Sequence, residues 1–357
     1  MKTHQVQQKT ERRISAALRL VFVAALLLGQ IALAFFLSTE LRQRAAIIYT
    51  VLELAAFGYA VRIYNRTDGA SYKFGWIFLV LTVPVVGLIL YFLWNGDRQQ
   101  KRLDLKKLPM PEEPEAQQAA HRIQMEKLRR KFPQWERLSV YLSRQGYLLY
   151  GDTETTYLPT GEAFLQDMLE KLEQAEHFIF LEFFIIAQGQ IWDRMEEIFR
   201  RKAAEGVEVK IIFDDFGSMM RFPAGQIEAL RESGVEVQVF NPVHHYVNRL
   251  YFNYRDHRKI VCIDGSTAYT GGANVADEYA NLTVRFGYWK DCGIRLDGPG
   301  AWGLTREFLH MWQRNGGQLM QERDYYRPHD HREAAGFCQP FVDGPDNNPI
   351  STAEDVF

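Results

Sequence analysis

Residues 257 to 264, His-Arg-Lys-Ile-Val-Cys-Ile-Asp, carry the side chains best suited to chemistry, and Gly271-Gly272 and Asn274 follow them. In an extended chain, positions two apart project from one face, so His257 and Lys259 stand side by side. An imidazole is a competent nucleophile, and a neighbouring ammonium is a fixed positive charge. Attack on an anionic phosphodiester needs both, one to bond phosphorus and one to offset the charge that builds on its oxygens. The run Ile260-Val261-Cys262-Ile263 predicts a buried strand behind them, which Asp264-Gly265 turns back. Two successive glycines let backbone approach a phosphate closely and present N–H groups to it. A core strand carrying an unrelated surface histidine and lysine is the alternative reading.

The surrounding residues weigh against that alternative. Asn253-Tyr254-Arg255-Asp256 precedes His257; Gly272 to Tyr279 and Tyr288-Trp289-Lys290-Asp291 follow it; Gly206 to Lys210 and Asp214-Asp215-Phe216-Gly217-Ser218 lie upstream. Together with His257, Lys259 and Asp264 in the spacing H-x-K-x4-D, they resemble the HKD signature of the phospholipase D superfamily, in the Gly-Gly form typical of bacterial cardiolipin synthases. The resemblance covers nearly the whole chain, to about Pro345. One departure is large: members of that family carry two HKD motifs, and this sequence has one.

The resemblance implies a division of labour. His257 attacks phosphorus and forms a phosphohistidine, Lys259 stabilises the non-bridging oxygens, and Asp264 fixes the loop and nearby donors rather than moving protons. Asn274 and the backbone near Gly272 would add hydrogen bonds to the phosphate. This chemistry needs no metal or organic cofactor. A histidine nucleophile also needs a carboxylate on its other nitrogen to set orientation and tautomer. Asp291 is the candidate, a surface aspartate at a strand end the alternative. Glu182, which interrupts an apolar strand, is a candidate for the pocket wall, and burial there would require a partner. His244-His245 suits a headgroup contact or an ordinary exposed pair. Tyr246, Tyr251, Phe252 and Tyr254 suit an acyl-chain lip or core packing. His329-Asp330-His331 reads as solvated tail, with no third metal ligand at useful spacing.

The elements that must position these groups read as α/β. Glu162 to Glu176 has helical spacing, and Phe178 to Ile186 is almost continuously apolar, as a strand buried on both faces would be. Helices over 191–205 and 226–233 alternate with strands over 208–213 and 236–240, an order that predicts parallel neighbours. The motif strand, 267–270 and 291–296 complete a mixed central sheet, and 299–314 closes it as a helix. The expected fold class is therefore α/β: N-terminal transmembrane helices, then one phospholipase D-type half with a mixed β-sheet flanked by helices.

The membrane segment occupies residues 1–100. Leu20 to Leu37 is an uncharged run of eighteen residues, about 27 Å as a helix and close to the hydrocarbon thickness. Phe74 to Trp94 is a second uncharged run, with aromatic residues near both ends and Pro84 expected to kink it. Ala45 to Val61 is counted as a third span despite Glu53 in its middle. Three spans leave the basic residues tied: Arg42, Arg44 and five between Arg98 and Lys107 on one side, against Lys2, Lys9, Arg12, Arg13, Arg62, Arg66 and Lys73. The dense Arg98–Lys107 cluster favours the cytoplasm for the catalytic domain. Residues 101–145 read as a basic, Pro- and Glu-containing linker and helix, 146–340 as the phospholipase D-like domain, and 341–357 as a connector or tail.

Composition narrows the function classes. With 42 basic against 44 acidic residues, the net charge is −2. That excludes the global basic field a nucleic-acid binder would show. Three cysteines, Cys262, Cys292 and Cys338, are too few for a disulfide framework. The expectation is a multi-pass cell-membrane phosphatidyltransferase that moves a phosphatidyl group between two phosphatidylglycerols and releases glycerol. A phospholipase D-like hydrolase, and an inactive membrane-bound half, are the alternatives. The second catalytic histidine would come from a missing C-terminal region, making this chain a piece of a longer synthase, or from a homodimer partner.

Overall fold

Phe178–Phe183 is buried at every position, as a strand covered on both faces must be. In the computed structural model, residues 42–66, 70–94, 115–242, 255–285, 287–318, 321–327, 336–344 and 352–356 are described, with single positions at 25, 28, 29, 31, 32 and 334. The chain divides into two compact units.

The larger unit holds seven strands: β1 (Glu154–Leu158), β2 (Phe178–Phe183), β3 (Glu208–Asp214), β4 (Glu236–Phe240), β5 (Lys259–Ile263), β6 (Thr267–Gly271) and β7 (Gly293–Asp297). They form one sheet in the order β1-β7-β6-β5-β2-β3-β4. β2, β3 and β4 are parallel, as their helical crossovers require, and the remaining pairings are antiparallel. The mixed sheet expected from the sequence is present, with one strand added. β1 pairs with β7 at the edge and is mostly exposed, so its sequence lacks the continuous apolar run that marks the central strands.

Alternation along the strands separates two cores. Ile179, Leu181, Phe183, Val261 and Ile263 face one, with Trp192, Met195 and Phe199 of the helix Gln190–Ala204. Phe178, Phe180, Ile260 and Cys262 face the other, where Leu304, Phe308 and Leu309 of the helix Ala301–Arg314 stack on them. Phe180 and Phe308 lie ring to ring at 4.7 Å.

Among the described residues, the smaller unit holds the helices α1 (Arg42–Tyr64), α2 (Ala70–Thr82) and α3 (Pro84–Trp94). Ile47–Tyr64 is 18 residues, long and apolar enough to cross a membrane. The run 74–94 is not one kinked helix, because it breaks at Val83-Pro84 into two shorter pieces. Proline lacks the N–H that would continue the ladder and clashes with the preceding turn. Leu20–Leu37 as a span, the Arg98–Lys107 cluster, His244-His245, the aromatic group from Tyr246 to Tyr254, and His329-Asp330-His331 lie outside the described residues.

Candidate active site

The register brings five segments to one end of the sheet. Lys259 at the start of β5 pairs with Phe183 at the end of β2, and Phe183 with Phe213 in β3. Ile260 pairs with Thr270, and Gly271 with Gly293. Phe184, Asp214, His257, Gly272, Asn274 and Asp291 therefore all lie at or just beyond the same row of strand ends.

His257 is exposed and Lys259 is 5% exposed. The Lys259 Nζ lies 3.1 Å from His257 Nδ1 and donates to the His257 carbonyl oxygen at 2.6 Å. An ammonium has only donors, so while Lys259 is charged Nδ1 is the acceptor. Partial desolvation of the ring by the surrounding protein, and then the Lys259 charge, push the imidazole below its usual value, which favours its neutral form. Burial lowers Lys259 to about 8, against the opposing charges of Asp256 and Asp291. A neutral imidazole beside a charged ammonium is the state that nucleophilic attack on a phosphodiester requires.

Phe184 sets the position of both groups. Its ring centroid lies 4.8 Å from that of His257, and the Lys259 ammonium sits 5.7 Å over its face. Gly217 packs against the Phe184 backbone so closely that a side chain there would overlap the carbonyl oxygen.

The chain entering the motif is held by Asp214, which is fully buried. Its Oδ1 accepts from the N–H groups of Phe216 (2.8 Å) and Gly217 (3.2 Å), and its Oδ2 from that of Asp256 (2.9 Å). Burial raises Asp214 to about 6, opposed by the Arg255 guanidinium 3.4 Å away and by those N–H groups. One carboxylate thus ties the end of β3 to the residue before His257.

Asp264 lies at the far end of β5, roughly 16 Å from Lys259 at about 3.3 Å per residue. Its carboxylate accepts from the backbone N–H groups of Glu176 (2.8 Å), His177 (2.7 Å) and Phe178 (2.7 Å). It pins the start of β2 to the β5–β6 turn, where its own φ is +52°. Gly272 donates its N–H to the Cys292 carbonyl at 3.1 Å, and the Asp291 carboxylate packs against its Cα, leaving no room for a side chain. Asn274 is 3% exposed; its Oδ1 accepts from Ile185 N–H (3.1 Å) and its Nδ2 donates to the Tyr279 hydroxyl (2.8 Å). It stitches the loop after β6 to the end of β2. Asp277 extends that seam by accepting the N–H groups of Gln190 and Ile191, both at 3.0 Å.

Asp291 accepts from the Cys292 N–H at 2.8 Å and acts electrostatically on Lys259. Asp256 is the carboxylate whose charge acts on His257. Glu182 is fully buried on the sheet face of Phe178 and Phe180, the side opposite Lys259, with Arg258 Nη1 at 3.6 Å. Alternation explains the split, since Arg258 points away from the face that His257 and Lys259 share.

A cavity of about 490 Å³ opens beside the motif. Arg258, Ile260, Ile294, Leu296 and Leu304 line it on the sheet face opposite the Lys259 side chain, Phe337–Asp343 form the other wall, and His257 and Lys259 border its rim. It has the size and largely apolar lining expected of a small-ligand site. Phe184 and Asp214 were not singled out as site residues from the sequence. The signal available was positional: each ends a buried strand, Phe184 just past β2 and Asp214 as the last residue of β3.

Residues 168–284 match the family model described as cardiolipin synthase, phospholipase D-like domain, and residues 54–95 match that described as phospholipase D-nuclease N-terminal. An uncharacterized protein of Streptococcus mutans is 36% identical over 275 residues, 76% of this chain and 59% of that protein. Cardiolipin synthase 2 of Bacillus anthracis is 31% identical over 296 residues, 82% of this chain and 57% of that protein. The solved structure of Nuc, a phospholipase D family member from Salmonella typhimurium, is 19% identical with a TM-score of 0.34, covering 45% of this chain and 94% of that one. The chain spans a little over half the length of the two curated relatives. On the motif, the family models and the Bacillus anthracis relative, the chain belongs to the phospholipase D superfamily, among relatives of the bacterial cardiolipin synthases.

Proposed function

We propose that this chain is the membrane-bound nucleophile half of a cardiolipin synthase-type phosphatidyltransferase. The observation that carries the reading is the Lys259 ammonium 3.1 Å from a ring nitrogen of the solvent-exposed His257. A phosphate oxygen of phosphatidylglycerol replaces that nitrogen as the ammonium's acceptor. The freed imidazole forms a P–N bond as the P–O bond to the headgroup glycerol breaks, and the departing alkoxide takes a proton from a second histidine acting as general acid. The hydroxyl of a second phosphatidylglycerol then attacks phosphorus, its proton returns to that histidine, and the P–N bond breaks. Cardiolipin and free glycerol leave, and His257 is restored. The acid comes from a second HKD half, supplied by further sequence or by a second copy of this chain.

In this reading the protein is multi-pass in the cell membrane, with the catalytic half on the cytoplasmic face. Tethering keeps enzyme and both lipid substrates in one surface, which raises their effective concentration. Asp291 would orient His257 once the lysine is drawn to phosphate, and its charge already acts at the site through Lys259. The test is turnover of phosphatidylglycerol in mixed micelles by wild type and His257→Ala. Cardiolipin with released glycerol, abolished by the substitution, is expected. Phosphatidic acid as the product would make the protein a hydrolase, and no turnover an inactive half.

A further inference from the structure

We propose that α2 and α3 form a re-entrant hairpin that inserts into a single leaflet of the bilayer, so the chain leaves the membrane on the side where it entered. The inference does not depend on the chemistry at His257. In one continuous helix, Trp76 and Tyr91 would stand about 22 Å apart along the axis. Their ring centroids are 5.5 Å apart, edge to face. Gly87 permits the reversal, because a Cβ there would lie 2.5 Å from the Leu79 carbonyl oxygen and 2.7 Å from the Val80 Cα. Pro84 supplies the break. The backbone stays satisfied across it, with Val83 N–H donating to Leu79 O (3.0 Å) and Gly87 N–H to Val83 O (2.6 Å), as hydrocarbon demands.

The lengths fit one leaflet. At 1.5 Å per residue, the 13 residues of α2 and 11 of α3 reach about 20 Å and 17 Å, short of a hydrocarbon core of about 30 Å. The polar groups gather at the open end of the hairpin. Lys73 Nζ donates to the carbonyls of Tyr64 (3.4 Å) and Arg66 (3.1 Å), and Arg66 reaches the Tyr91 hydroxyl at 3.5 Å. Tyr59, from the same end of α1, stands edge-on to Phe92 at 4.9 Å. Below that aromatic level, Phe78 and Leu81 are exposed, the outward surface that acyl chains would cover.

A re-entrant hairpin also resolves the distribution of charge. With α2–α3 as a full crossing, Arg98–Lys107 would lie opposite Arg62, Arg66 and Lys73, and neither side would dominate. With a hairpin, those eight basic residues share one side, against Arg42 and Arg44 on the other. That is the asymmetry of a cytoplasmic face.

Two measurements test this in the full chain with Cys262, Cys292 and Cys338 replaced by alanine. Spin labels at Phe74 and Leu93, both lipid-facing, should lie well under 20 Å apart; a continuous helix would hold them about 28 Å apart. A membrane-impermeant maleimide should label Lys73→Cys and Asp97→Cys from the same face of oriented vesicles, and Gln43→Cys from the other. A spin-label distance near 28 Å, or Asp97→Cys labelled from the face opposite Lys73→Cys, overturns the proposal. Neither readout measures lipid turnover, so failure here leaves the catalytic reading standing, and failure of turnover leaves this one.

Discussion

At the residue scale, the proposed reaction requires His257 and Lys259 to be in different protonation states. His257 sits below its ordinary value and Lys259 near 8, so the productive pair exists between the two. Activity should rise as pH climbs through the imidazole value, because protonation removes the nucleophilic lone pair. It should fall as pH passes about 8, because the ammonium then loses the charge that neutralises the phosphate. A pH–rate profile in micelles measures both limbs. Lys259→Met removes one of the two causes that depress His257, so the imidazole should titrate higher in that variant by NMR, while burial still holds it partly down. Turnover should drop by about a hundred-fold or more, the usual effect of losing one positioned electrostatic stabiliser. An unchanged imidazole titration in Lys259→Met would mean that the two groups are not coupled in solution.

At the element scale, the site is a consequence of register. His257 and Lys259 were legible in the sequence because they lie two residues apart where one short strand begins, and local spacing fixes their relation. The order of β2, β3 and β4 was legible too, since alternating strand and helix leaves few parallel topologies. Phe184 and Asp214 were not picked out as site residues, because Phe184 reaches the histidine, and Asp214 the backbone just before it, only once β2, β3 and β5 align side by side. The reversal at Pro84 was hidden for a related reason: an apolar run has the same composition whether it crosses the membrane or folds back. Asp264 illustrates the gap between a motif letter and a role. It stands in the H-x-K-x4-D signature, yet its carboxylate serves three backbone N–H groups at the start of β2. Asp264→Ala should therefore lower thermal stability, by about 1–3 kcal/mol for donors left unmet, and reduce activity only as far as the sheet loosens. Asp264→Asn, which keeps one acceptor, should recover part of the loss. A variant as stable as wild type but inactive would assign Asp264 to the chemistry instead.

At the scale of the whole molecule, one histidine is not enough for the proposed reaction. The alkoxide of the leaving glycerol must be protonated in the same step that bonds phosphorus to His257, and the imidazole that attacks cannot also be the acid. Within the sequence the H-x-K-x4-D pattern occurs once. If turnover is found with this chain alone, the second imidazole is most simply that of a second copy, brought opposite the first across a two-fold axis. Mixing distinguishes this arrangement from a self-sufficient half. When wild type and His257→Ala are co-expressed in equal amounts and pair at random, only about one dimer in four carries two intact histidines. Activity per total protein should then fall to about a quarter of the wild-type value, with each mixed dimer silent. Independent sites would leave about a half. The ratio depends on how many histidines a site needs, not on lipid preference or detergent, so it isolates the composition of the active unit from every other uncertainty in the assay.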